Sequence, residues 1–206
     1  MYKVYFENRS IVVSSQIPIP EEKSQIVIYN PKVHPHISKL PQMFENDPTI
    51  KQLYIQCANE DQAFKELVSS LEKVSAGGGL VTNKTGEILL IFRHGMWDLP
   101  KGKQEIDEDI RDTALREVKE ECGVSNLDLI SKICTTYHTY RMDGEFIVKS
   151  THWYHMEYEG NGYTKPQIEE NIEKVEWIKV QDVASQLKGS FDTVKSVVYQ
   201  FISGQH

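Results

Sequence analysis

Residues 102–124 read Gly102-Lys103-Gln104-Glu105-Ile106-Asp107-Glu108-Asp109-Ile110-Arg111-Asp112-Thr113-Ala114-Leu115-Arg116-Glu117-Val118-Lys119-Glu120-Glu121-Cys122-Gly123-Val124. From Asp109 to Cys122 the pattern predicts a helix stopped by Gly123. At about 100° per residue, Ile110, Ala114, Val118 and Cys122 cover one apolar arc. Glu117, Glu120 and Glu121 stand at i, i+3 and i+4, so their carboxylates are expected on one flank. Like charges so placed destabilise a helix by about 0.2–0.5 kcal/mol per pair. A hard divalent cation removes that cost, because Mg²⁺ is held by carboxylates and keeps waters that phosphate can replace. A solvated acidic face is the ordinary meaning of such a run. What speaks for chemistry here is the company it keeps: Arg116 directly before Glu117, Glu108 upstream, and glycines at both ends.

Outward from this stretch the second part of the chain continues as strands. Leu80-Val81-Thr82 and Glu87 to Phe92 flank a turn at Asn83–Gly86, predicting a hairpin. Leu127 to Tyr140, Phe146 to Tyr158 and Val175 to Val180 predict further strands of a mixed sheet. Phe191, Val194, Val198 and Phe201 recur at helical spacing, predicting a last helix with Asp192, Lys195 and Gln200 outward. In the first part, Tyr2 to Glu7 and Ser10 to Val13 predict a hairpin turning at Asn8-Arg9. Gln25 to Tyr29 and Leu53 to Ile55 predict short strands, and prolines 31, 35 and 41 interrupt the chain between them. Glu60 to Val74 places Phe64, Leu67, Val68, Leu71 and Val74 on one helical face. Ser75-Ala76-Gly77-Gly78-Gly79 then reads as a boundary. The expected division is a small α+β domain over 1–75 and a second domain over 76–206.

The chain has 206 residues and a formal net charge of −7. That charge disfavours a nucleic-acid binder, which presents a basic face. It would also repel a polyphosphate unless a metal ion stood between. No apolar run is long enough to span a membrane, and the N-terminus lacks the apolar core of a signal peptide. Cys57, Cys122 and Cys134 form neither a disulfide framework nor a metal spacing. A cytoplasmic location is the expectation. His34-x-His36 and His152-x-x-His155 lack partners at zinc spacing and are expected to be structural. Trp97, Trp153 and Trp177 are expected to pack, with base stacking as the functional alternative.

The string Gly102-x5-Glu108-x7-Arg116-Glu117-Val118-x-Glu120-Glu121-x-Gly123-Val124 resembles the Nudix box at every defined position. A chance match at one starting point has a probability on the order of 10⁻¹⁰ from average composition. The resemblance covers residues 76 to 206 and leaves 1 to 75 unexplained. It implies an α/β/α sandwich with a mixed sheet and an Mg²⁺-dependent hydrolase (Mn²⁺ an alternative) that cleaves a phosphoanhydride bond. It places Glu117, Glu120 and Glu121 as metal ligands, with Gly102 letting the backbone approach the ion. Arg116 would pin a box glutamate, and Glu108 would brace the loop or contact the metal through water. The family leaves the general base open; Glu117, Glu120 and the Glu169-Glu170 pair are the candidates, so Glu170 joins Arg116, Glu117 and Glu120 as an expected catalytic residue. Lys101 and Lys103 would meet phosphate.

Downstream, position 139 is Thr rather than the proline of the ADP-ribose branch, and Tyr140 stands sixteen residues after Val124. Tyr140-Arg141-Met142-Asp143-Gly144 with Val148-Lys149 resembles the dinucleoside polyphosphate branch and the related diphosphoinositol phosphatases. There Tyr140 would stack a base and Lys149 grip phosphate. The alternatives are a nucleoside triphosphate pyrophosphohydrolase, a diphosphoinositol phosphatase, and, in another class, a nucleotide-sensing regulatory module. The expected partner is a small nucleotide or polyphosphate, with neither nucleic acid nor membrane, and a homodimer is open.

Overall fold

The computed structural model describes residues 1–17 and 26–204. They form two compact units: 1–73 with 137–149, and 74–136 with 150–206.

The first unit begins with the predicted hairpin, β1 (Tyr2–Phe6) and β2 (Arg9–Ser14), in antiparallel register Val4↔Ile11. β3 (Ile26–Ile28) and β4 (Gln52–Gln56) follow; Gln25 of the predicted run lies outside the described residues. Both β2 and β3 run parallel to β4. Helix α1 (Leu40–Asn46), which the prolines concealed, carries Pro41 in its first turn, where a missing N–H costs nothing. Arg9 Nη1 donates to the carbonyls of Phe44 at 2.7 Å and Asp47 at 2.8 Å near the end of α1. Helix α2 (Glu60–Leu67) is capped by Asn59, whose side chain accepts from the Gln62 N–H. It is half as long as the spacing predicts. Val68 to Ser70 turn, and Val74 is already in the next strand. Leu71 is nonetheless buried with Leu67 and Val68, so the apolar spacing was a packing pattern without being a helix. The core also takes Val148, with Tyr137 and Phe146 packed against it.

The chain divides between Lys73 and Val74, where the second unit begins, and β5 (Glu72–Asn83) holds the Ser75–Gly79 stretch. Its glycines are there for close approach. A Cβ on Gly77 would stand 2.6 Å from the Ala114 backbone nitrogen, and one on Gly78 2.7 Å from the Trp153 ring. β6 (Ile88–Arg93), β7 (Met96–Asp98), β8 (Lys101–Lys103), α3 (Ile110–Cys122), β9 (Leu127–Met142), β10 (Glu145–Tyr158) and β11 (Ile172–Ile178) follow. The chain closes with α4 (Val180–Gln186) and α5 (Asp192–Ser203). The sheet order here is β11-β6-β5-β10-β9, with β7 on β6 and β8 on β5. Alternate residues of β6 face opposite layers. Leu89 and Ile91 pack with Ala114, Val118 and Cys122 of α3, whereas Ile88 and Leu90 pack with Val183, Val194 and Val198 of α4 and α5. This is the expected α/β/α sandwich. Phe191, expected on the buried face of the last helix, is its N-cap and is exposed; Val197 takes that burial instead. No helix of the described residues is long and apolar enough to cross a membrane.

Candidate active site

Helix α3 is fixed at both ends by side-chain chemistry. Asp109 Oδ1 accepts from the Arg111 N–H at 2.8 Å, and Gly123 closes the helix at φ +65°. Before it, β8 presents Gly102, where a Cβ would stand 2.1 Å from the Glu117 carboxyl carbon. Only a glycine lets this carboxylate lie against the backbone.

Arg116 organises the outer flank. Its Nε and Nη2 grip the two oxygens of Glu108 at 2.8 and 2.9 Å; Nη1 donates to Glu117 at 2.7 Å and Glu120 at 3.0 Å; Nη2 also reaches the Lys103 carbonyl at 3.1 Å. All five guanidinium donors are used, the fork geometry for which arginine and not lysine is suited. This hydrogen-bonded pair, with Thr113 and the Glu105 N–H, draws the Glu108 pKa down to about 2. Glu117 moves the other way: burial pushes its pKa up, Arg116 resists, and Glu170 and Glu120 add to the rise. Glu170 ends a short 3₁₀ turn, Ile168–Glu170, and its charge is also felt at Arg93.

Glu121 does not join that flank. On the helix it stands about 40° from Glu117 toward the apolar arc, while Glu120 stands about 60° away toward solvent. Its side chain is fully buried. Oε1 accepts from Arg93 Nη1 at 3.1 Å and Oε2 from the Lys101 N–H at 2.8 Å. Burial raises its pKa to about 7 against the pull of Arg93 and Lys101. Behind it, Asp98 accepts from Arg93 Nε and Nη2 at 3.3 and 3.2 Å, from the Leu99 N–H at 2.8 Å, and from the Lys101 ammonium. Burial opposes the charge on Asp98, yet Lys101 and Arg93 hold its pKa below the usual value.

The three carboxylates therefore part into Glu117 with Glu120 on Arg116, and Glu121 with Arg93. Among the described residues no three His, Cys, Asp or Glu side chains stand arranged as a metal grip. The donor chemistry nevertheless fits a hard divalent cation: carboxylate oxygens, two of them on groups whose ionised form burial disfavours, beside a backbone opened by glycine. Lys101 is not free to meet phosphate in this arrangement; its ammonium is held by Asp98 and the Leu99 carbonyl. Lys103 is exposed. Tyr140 and Lys149 lie in the first unit, apart in the chain's division from the box, and the Tyr140 ring stacks on His138 with centroids 5.7 Å apart.

Arg93 and Asp98 escaped the sequence reading. The available signal was parity: Arg93 lies two residues after Ile91, on the strand face turned to α3. The histidines and tryptophans are mostly structural. His36 pairs with Glu66, His34 accepts from the Asn30 N–H, and His155 meets Thr82. Trp153 is buried and donates to Thr136, while Trp97 and Trp177 are half-buried.

A family model described as NUDIX domain matches residues 72–200. The chain is 29% identical over 128 residues to the putative mutator protein MutT4 of Mycobacterium tuberculosis, covering 57% of this chain and 50% of the relative. It is 33% identical over 92 residues to the uncharacterized Nudix hydrolase YvcI of Bacillus subtilis, covering 44% and 56%. The chain thus spans about half the length of these curated relatives. Among solved structures, the C. elegans Ap4A hydrolase binary complex superposes with a TM-score of 0.52 at 21% identity, over 64% of this chain and 97% of that one. At that identity the likeness is one of fold.

Proposed function

The chain belongs to the NUDIX family, and on that premise we propose that it is a metal-dependent hydrolase of a phosphoanhydride bond in a nucleoside polyphosphate. The observation that carries the reading is the Arg116 hub, which gathers Glu108, Glu117 and Glu120 against the Gly102 backbone. A helix that needed only to fold would gain little from a pair as exposed as Arg116–Glu120. Mg²⁺ or Mn²⁺ would be held by Glu117, Glu120 and Glu121 beside Gly102. When bound, such an ion lowers the pKa of a water and neutralises phosphate charge. The chain's own residues supply the rest. Glu170 is the proposed base, because its charge already acts on Glu117. Arg116 keeps the box glutamates in place, and Lys103 faces solvent where phosphate arrives.

The finer proposal is a dinucleoside polyphosphate, supported by Tyr140 at the spacing of that branch. Stacking on an aromatic ring contributes about 1–3 kcal/mol per base. Tyr140→Ala is then expected to raise KM for a dinucleoside substrate more than it lowers kcat. The deciding measurement is product release with Mg²⁺ across nucleoside triphosphates, dinucleoside polyphosphates and inositol pyrophosphates. Two nucleotides from a dinucleotide support the finer reading. Pyrophosphate from triphosphates at far higher kcat/KM replaces it with a pyrophosphohydrolase. No turnover of any substrate with either metal overturns the hydrolase.

A further inference from the structure

Strand β9 ends the sheet of the second unit, and no other strand of that unit pairs with its outer side. Its pairing with β1 is confined to Tyr137 and His138. Residues 127–133 thus leave an open row of backbone donors and acceptors, interrupted where the Ile133 carbonyl accepts from Gln200 Nε2 at 3.3 Å. Such an edge invites another strand unless something guards it. Asp128, Ile130 and Lys132 project from one face of this segment, and all three are exposed, Ile130 by 50%. Neither Asp128 nor Lys132 is in an ion pair among the described residues.

A lone lysine on an edge would guard it. Here an acid stands four residues before the lysine, with an exposed isoleucine midway. We propose that this segment is the interface of a homodimer, in which β9 pairs antiparallel with β9 of a second copy about a two-fold axis at Ile130. In that register Asp128 of each copy faces Lys132 of the other, Ile130 meets Ile130, and Leu127 faces Ile133 on the opposite side of the sheet. Directly opposed residues of an antiparallel pair stand about 4.5–5.5 Å apart at Cβ, close enough for the charges to act. A shift of one residue would turn the isoleucines and charges to the wrong face. A shift of two would set Lys132 or Asp128 against Ile130, and a shift of four would set Lys132 against Lys132 or Asp128 against Asp128, so only one register satisfies both charges. The occupant is a second copy because the stripe complements itself.

The full chain tests this by sedimentation velocity over a dilution series. The wild type is expected to reach dimer mass. Lys132→Asp sets acids against acids and is expected to return the monomer. The double variant Asp128→Lys with Lys132→Asp restores opposite charges and is expected to restore the dimer. All three positions are solvent-exposed, and thermal melting of each variant confirms that it folds. Ile130→Cys, under a mild oxidant, is expected to give a covalent dimer that wild type treated alike does not. A wild type that stays monomeric throughout overturns the proposal. So does a dimer that survives Lys132→Asp, a double variant that remains monomeric, or an Ile130→Cys protein that fails to cross-link. None of these readouts depends on hydrolysis, so the interface and the proposed activity fail separately.

Discussion

Gly102 shows how a single hydrogen can matter. A methyl group there would overlap the Glu117 carboxylate, at 2.1 Å from its carbon. Gly102→Ala should therefore collapse turnover as Glu117 is displaced. A variant that hydrolyses substrate like wild type would show that the close approach is incidental. Glu121→Gln makes a second test. It keeps the shape but removes the charge that Arg93 faces inside the protein. Turnover is expected to fall by about 10²-fold or more, the usual scale when a charged group at a reacting centre is removed. Mn²⁺ titration should report weaker binding in the same protein. Unchanged Mn²⁺ affinity would mean that Glu121 braces the Lys101–Gly102 backbone and does not hold the ion.

The elements carry their own expectations. Strand β5 packs Gly77 and Gly79 against α3, so Gly77→Val forces a side chain into the helix backbone. Overpacking of this kind costs about 1–3 kcal/mol, and calorimetry should find the melting temperature lowered; an unchanged value would mean that the strand moves freely from the helix. Strand β10 half-buries two histidines. Burial lowers the pKa of His152 and of His155 below the usual 6.5. The unfolded chain takes up protons first as the pH drops below about 6.5. Stability that is full above that value is then lost as the pH falls through the depressed folded values. Denaturant midpoints measured downward from neutrality should fall, and His155→Gln should flatten part of the slope. A double histidine variant with the wild-type profile would assign the acid sensitivity elsewhere.

At the level of the whole chain, the tip of the β9–β10 hairpin belongs to the first unit. Val148 is buried in that unit's core, with Tyr137 and Phe146 packed against it. A fragment of residues 76–206 would carry these side chains away from their partners Val4, Phe6 and Phe64. It is expected to bind a hydrophobic dye and to aggregate more readily than the full chain. A fragment that stays in solution, stable and active, would show the first unit to be dispensable.

Local rules sufficed for much of this protein. The box helix and its Gly123 stop were legible because a helix repeats within a turn and its stop signal is the adjacent residue, while Asp109, read as the first helical residue, is its cap. The strands after the box were legible for the same reason, whereas the pinning of a box glutamate by Arg116 was implied by the family resemblance. Three readings needed the tertiary structure. The glycines of 77–79 look like a linker until α3 on one side and Trp153 on the other are in place. The apolar spacing through Val74 looks helical, although Leu71 is buried from a bend and Val74 is half-buried in a strand. Arg93, Asp98 and Lys101 look like surface charges of a hairpin until folding brings them to Glu121, twenty to twenty-eight residues away for the two cations. In each case the partner is distant in sequence, and no local pattern encodes a distant contact.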